Sequence, residues 1–522
     1  MNKNRYKLIF SKTKGCLVPV AETINSAVGN ASSKDVSDTE ISASQPALNS
    51  PLSTLFVLVK TAFNPVSTLM SLTWKEYAVL LLSVVSFPLM AQASDTDSVV
   101  QRKPELTDVT NNTRYHVELD KAHHDAKGDH QTKIKHTENH VIIVDIAKPN
   151  QNGISDNRFK KFNIPNGAVF NNSAKEKRSQ LVGYLPGNQN LTEGAEAKAI
   201  LNQVTGPDAS KIEGALEILG QKADLVIANQ NGIVLNGVKT INANRFVATT
   251  SSTIDPEQMQ LNVTQGTVTI GVDGFATDGL PYLDIIAKKI EQKQAITKER
   301  TGNSETDITF VAGNSKYDLN THQVTEKHTA EAQGEIAISG ASTGAMYGKN
   351  IKLIVTDKGA GVKHDGIILS EADIQIETHE GDVELGNTKN NQNENYAKVH
   401  AEGNFTVKGG KHVIIGKEVK ANKAVDIQAQ ETTVRQNAKL TAKTSAKIAA
   451  SKSVNLEDNA KLIANELSTT TDKLTNKGSI YGKKVTLDAD NLVNSKEIYA
   501  SSELDIKTKG RDLLLEDGLI NH

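Results

Sequence analysis

The sequence is poor in four things, and each scarcity excludes something. Cysteine occurs once, as Cys16, so no disulfide can form within one chain and no cysteine-based metal site can be built. Aromatic residues are 4% of 522, with one tryptophan. A compact globule of this length needs more large rings at its centre. Thin cores of Val, Ile, Leu and Ala suit a stacked solenoid better. Proline occurs 12 times and never after Pro281. Proline cannot donate to a hydrogen-bond ladder, so its absence after residue 281 leaves room for a long unbroken one. Net charge is also scarce: 59 basic residues face 61 acidic ones, a formal balance of −2. That excludes the strong positive field of a nucleic-acid binder and the composition of a highly charged disordered chain.

Catalytic signatures are missing too. The sequence holds no His-Glu-x-x-His and no phosphate loop. Its acids are scattered singly, as at Asp426, Asp488 and Asp505. No catalytic, cofactor-binding or metal site is assigned. Six of the 13 histidines lie close together: His116, His123, His124, His130, His136 and His140. Neutral imidazoles bind metals, but this spacing is irregular. Residues 94–135 read instead as a polar, flexible leader.

What is present begins with a targeting segment. Residues 77–90 form an apolar run too short to span a bilayer comfortably, with Lys75 before it and Ala91-Gln92-Ala93 after it. A short apolar core followed by a small-x-small site is a signal peptide. Cleavage is expected between Ala93 and Ser94, leaving a mature chain without a thiol. Far upstream, Lys3, Arg5, Lys7, Lys12 and Lys14 surround the apolar patch 8–10, with no acid before Glu22. Residues 2–22 resemble the extended signal-peptide region of large exoproteins secreted by the two-partner pathway. Residues 1–93 are therefore taken as an extended signal peptide.

From Val141 the pattern becomes strand-like, with Asn and Gly at the corners, where both tolerate positive φ. Between Val141 and Thr250 the triplet Asn-Gln-Asn begins at Asn150, Asn188 and Asn229. The spacings are about two coils each, if a coil takes roughly 20 residues. On these residues the stretch 136–345 resembles the secretion domain of filamentous haemagglutinin-like exoproteins. Asn188, Gln189, Asn190 and Leu191 correspond to the family's Asn-Pro-Asn-Leu motif. Asn229, Gln230, Asn231 and Gly232 correspond to its Asn-Pro-Asn-Gly motif. Glutamine replaces both prolines, which removes a pre-set φ.

The resemblance implies an all-β fold, a right-handed parallel β-helix with short extra-helical elements. It implies export by the Sec machinery and then by an outer-membrane TpsB-type transporter with periplasmic POTRA domains. The destination is the surface or surroundings of a Gram-negative cell. The cysteine pair common after the second motif in haemolysin-type members is absent, which points to the adhesin branch.

Leu283, Ile286, Ala287 and Ile290 sit at helical spacing and predict a short helix, either packed on the solenoid flank or binding a partner. Residues 346–522 read as a repeat region. Asn437-Ala438-Lys439-Leu440 recurs 22 residues later as Asn459-Ala460-Lys461-Leu462. The stretch from Met346 is echoed at Ile480, 134 residues on, close to six such units. At about 4.8 Å per rung the rod would approach 80–90 Å, less whatever insertions consume. Apolar residues Leu513, Leu514, Leu515, Leu519 and Ile520 provide no polar cap, so a fraying, self-associating last coil or a truncated chain is expected. Three functions compete: a surface adhesin, the delivery stem of a contact-dependent toxin, and a β-helical carbohydrate-active enzyme.

Overall fold

The computed structural model describes residues 6–11, 16–21, 103–112, 116–126, 131–297, 304–327, 331–386, 398–509, 513–515 and 519–521. The chain divides into two units, Met1–Asp97 and Ser98–His522. In the first, Tyr6–Ser11 pairs antiparallel with Cys16–Ala21. The cleavage residues Ala91, Ala93 and Ser94 lie outside the described residues.

The second unit is a right-handed parallel β-helix with three faces. Alternating side chains dictate it, because each short strand buries one side only and must be covered by the next coil. On the first face Ile154–Phe162 pairs with Ala199–Val204, which pairs with Ala223–Asn229, then Ala243–Thr249 and Tyr282–Ala287. The column continues to Ser479–Asn494 and Glu497–Lys507. Inside it, Phe405, Val407, Val425, Ile427, Ile448, Val485 and Leu487 are all buried. Each fully buried side chain of this kind contributes about 1.5–3 kcal/mol, so the thin core is long rather than thick.

The later coils are uniform. Phe405, Val425, Ala446, Leu467, Val485 and Leu504 stack in register at intervals of 20, 21, 21, 18 and 19 residues. Lys439–Leu456 turns two corners and pairs on all three faces. The 22-residue repeat is one coil, since Lys439 pairs with Lys461 and Leu440 with Leu462. Asn437 and Asn459 open the equivalent corners at φ of 61° and 59°, a conformation asparagine tolerates. The 134-residue echo is six coils: Met346 stacks through Ile368, Val399, Val419, Leu440 and Leu462 to Ile480. One asparagine ladder forms, with Asn476 Nδ2 donating to Asn494 Oδ1 at 2.7 Å.

Three sequence expectations need correction. The helix expected over 283–290 is two strands, Tyr282–Ala287 and Lys289–Gln292, on adjoining faces. Their apolar residues serve two cores, which breaks simple alternation. The flexible leader instead carries short antiparallel strands that cover the open end of the helix. Lys133–Thr137 pairs with Ile142–Asp145, and Val117–Leu119 with the end of Ile154–Phe162. Val117, Leu119 and Ile134 point into the main core. The rod is also shorter than its length allows. Fourteen rungs stack on the first face among the described residues. At roughly 4.8 Å each they span about 60 Å. The difference goes into insertions. One holds the hairpin Lys177–Ser179 with Gly183–Leu185. Two others supply Gln260–Val263, Ser315–Asp318 and Gln323–Lys327, a three-stranded antiparallel sheet. That sheet lies on the outside of the first face and encloses a second apolar core with Leu201, Val226, Val247, Ile286 and Val311.

At the far end Leu513–Leu515 pairs with 492–494 and Leu519–Asn521 with 497–499, extending the ladder. The exposure of their side chains lies outside what is described.

Candidate functional site

The Asn-Gln-Asn triplets that begin at Asn150, Asn188 and Asn229 fold into the same turn. In every case the first asparagine's Oδ1 accepts the backbone N–H two residues on, at 3.0 Å. Its carbonyl accepts the N–H three residues on, at 2.9 Å from Gly153 and 3.1 Å from Leu191 and from Gly232. This is the local turn that asparagine makes unaided, and it explains why glutamine can stand at the second position without loss of the turn.

The amide groups then have different destinations. Asn188 Nδ2 donates to the carbonyls of Ile146 and Asn171, at 2.9 and 3.0 Å. Asn190 Nδ2 donates to those of Gln131 and Ile146, at 2.7 and 2.9 Å. Asn229 Nδ2 reaches the Asp208 carbonyl and Ser210 Oγ, both at 2.9 Å. Asn231 Nδ2 reaches the Gly206 carbonyl at 2.8 Å. The first motif thus ties its turn to Gln131, Ile146 and Asn171, and the second ties its corner to residues 206–210 of the coil before it. Asn150 and Asn152 instead point outward and hold the Glu257 carboxylate at 2.8 and 2.9 Å.

Asn188 and Asn229 are 2% and 0% exposed, whereas Gln189 and Gln230 are exposed. The fourth positions differ for a physical reason. Leu191 inserts into the main core. Gly232 has φ of 119°, and a Cβ there would stand 3.0 Å from the Thr267 carbonyl. The structure therefore brings each group of four together as one turn, but the two turns sit on different coils.

Sequence reasoning missed a buried polar latch under the three-stranded sheet. Arg245 and Asp284 lie on adjoining rungs of the first face and form an ion pair at 2.5 Å. The guanidinium also sits 4.2 Å from the centre of the Tyr282 ring. Burial pushes the Asp284 carboxyl up to about 6, and Tyr317 of the overlying sheet bonds to it. Burial raises the Tyr317 phenol and lowers His322 nearby. A second link joins Asp156 to Gln203 at 2.8 Å, and Gln203 Oε1 to the Ile254 N–H at 2.7 Å. No local motif marks these partners, because insertions set their separation along the chain.

Of the clustered histidines, His130 lies outside the described residues. His136 and His140 pack with ring centres 5.8 Å apart, and His123 lies 3.3 Å from Asp156. Among the described residues, no three metal-ligating side chains are grouped to hold an ion.

Comparison with known families follows this geometry. The TPS secretion domain matches residues 122–385, which include Lys133–Thr137 of the cap, both motifs and the latch. The chain belongs to the exoproteins of the two-partner secretion system. The Extended Signal Peptide of Type V secretion system matches residues 1–49 of this exoprotein. Together they mark it as secreted from a Gram-negative cell by way of the periplasm.

The exoprotein is 50% identical, over 98% of its length, to the protein adenylyltransferase and cysteine protease IbpA of Histophilus somni, and spans 13% of that relative. It is 34% identical to filamentous hemagglutinin of Bordetella pertussis over 74% of its length, and spans 9% of it. It is 29% identical to toxin CdiA of Yersinia pestis over 73%, and spans 10%. The solved filamentous hemagglutinin secretion domain aligns at 33% identity and a TM-score of 0.47, covering 63% of this chain and 97% of that one.

Proposed function

We propose that this exoprotein directs its own export and acts outside the cell as a surface adhesin, by binding rather than by catalysis. On this reading the Sec machinery delivers it to the periplasm. The POTRA domains of its TpsB transporter then read Asn188–Leu191 and Asn229–Gly232, and a host or bacterial surface receives it. The signal peptide is removed after Ala93. Cys16, the one cysteine of these 522 residues, lies in the removed segment. A delivery stem for a toxin is the second reading, favoured by the similarity to CdiA.

One observation supports a reading of these motifs before folding. In the folded chain the amide donors of Asn188, Asn190, Asn229 and Asn231 are spent on neighbouring carbonyls and hydroxyls. A transporter can meet them only in an extended chain, whose free backbone can join a sheet edge as an added strand. Folding outside then consumes the same groups and opposes return.

The test pairs Asn188→Ala with Asn190→Ala, and Asn229→Ala with Asn231→Ala, each co-expressed with the transporter. Each lost buried amide costs folding stability of about 1–3 kcal/mol. Protein in the medium should fall more than refolded stability alone accounts for. Secretion that follows stability alone across both pairs would assign the motifs a purely structural role. Attachment of the purified chain to cells, measured separately, tests the adhesin reading.

A further inference from the structure

On the later coils, the corner that follows the first face is concave. It forms a groove of about 590 Å³ that crosses the later coils. Gln428, Ala449, Thr470 and Asp488 line it on four successive rungs and stack in register. Gly409, Gly410 and Ser451 also line it, so its floor is built from short side chains. Four carboxylates, Glu380, Asp472, Asp488 and Asp490, face it against two lysines, Lys447 and Lys509. One of those lysines is engaged, with Lys509 Nζ 3.6 Å from Asp490.

We propose that this groove binds a linear, uncharged glycan containing N-acetylhexosamine. Three features choose the occupant. First, the groove runs across the strands, and rungs repeat at roughly 4.8 Å, about the advance of one sugar ring with its linkage. Consecutive sugars therefore meet equivalent positions on consecutive rungs. Second, the strands under the groove are already paired on both sides, so no free edge is offered to an extended peptide. Third, the excess of carboxylates repels polyanions, while carboxylates and the amides of Gln428 and Gln430 suit hydroxyl and amide N–H donors. The alanine and glycine floor leaves room for acetyl methyl groups. The inference deepens the adhesin reading and rests on it for biological meaning.

The test is calorimetric titration of the full secreted chain with chitohexaose. Saturable binding is expected, and a heparin fragment of equal length should neither bind nor displace it. Ala449→Trp fills the groove, and the pair Asp488→Asn with Asp490→Asn removes acceptors at constant shape. Each should weaken binding about tenfold or more, the scale of one or two lost hydrogen bonds, with unchanged far-UV circular dichroism. Absence of saturable binding, displacement by heparin, or unchanged affinity in the folded Asn pair overturns the proposal. If the chain attaches to cells but ignores chitohexaose, the groove inference fails while the adhesin reading stands.

Discussion

At the scale of single residues, two buried titratable groups pull in opposite directions. His364 is enclosed within the helix against Gln292 and Gly340, and burial depresses it from 6.5 to about 4. Its unfolded form takes a proton first, so its contribution is present above about 6.5 and lost as pH falls toward 4. Asp284 is the reverse case, raised by burial from 3.8 to about 6. Its folded form takes the proton first, so its contribution is present at low pH and lost as pH rises from about 4 to 6. Over that window the two partly cancel. Relative to the parent, His364→Gln should gain stability as pH falls from 6.5 to 4. Asp284→Asn should lose stability over the same fall, each change being on the order of 2 kcal/mol. Urea-unfolding midpoints at several pH values check this. Parallel profiles for parent and both variants would refute it.

At the scale of elements, the insertions hold the chemistry that the coils do not. The three-stranded sheet is fixed to the first face by apolar contacts and by the Tyr317 bond to Asp284. Tyr317→Phe removes that bond from a buried carboxylate, at a cost of about 1–3 kcal/mol. The sheet should open locally while the coils stay intact. Protease cleavage near the 320–322 turn should accelerate without loss of strand content by circular dichroism; unchanged cleavage would mean the apolar layer alone fixes the sheet.

The same elements show what the sequence could and could not reveal. The coil repeat was legible because Asn437 and Asn459 mark matching corners and Leu440 stacks on Leu462. The turns at Asn188–Leu191 and Asn229–Gly232 were legible because asparagine makes them locally. The strand at Tyr282–Ala287 was not, because Leu283 and Ile285 face one core and Ile286 the other. A strand buried on both sides loses its period-2 signature and resembles a helix. The cap was hidden for another reason: strands of three to five residues are too short to show a period. The latch was invisible because Arg245, Asp284 and Tyr317 are brought together only by the stacking of coils and an insertion.

At the scale of the whole molecule, the ends of a β-helix matter most, because each rung leaves an open edge. A row of unpaired N–H and C=O groups is a template for another chain. Here Lys133–Thr137 and Val117–Leu119 pair with the first coil in antiparallel sense. That reversal supplies hydrogen bonds without offering a further parallel rung in the same direction. Val117, Leu119 and Ile134 also close the apolar interior, each at most 4% exposed. Removing residues 94–135 from the mature chain would bare both the edge of Ile142–Asp145 and the core behind it. Such a chain should sediment as larger species than the parent at equal concentration. Its first coil should also lose hydrogen-exchange protection, while the regular coils beyond Phe405 keep theirs, since solenoid coils depend chiefly on their nearest neighbours. A single Val117→Lys substitution tests the interior alone, leaving the backbone pairing in place. It should destabilise the first coil with less association than the deletion produces. If the deleted chain sediments like the parent and protects its first coil equally, the antiparallel strands are not what shields this end.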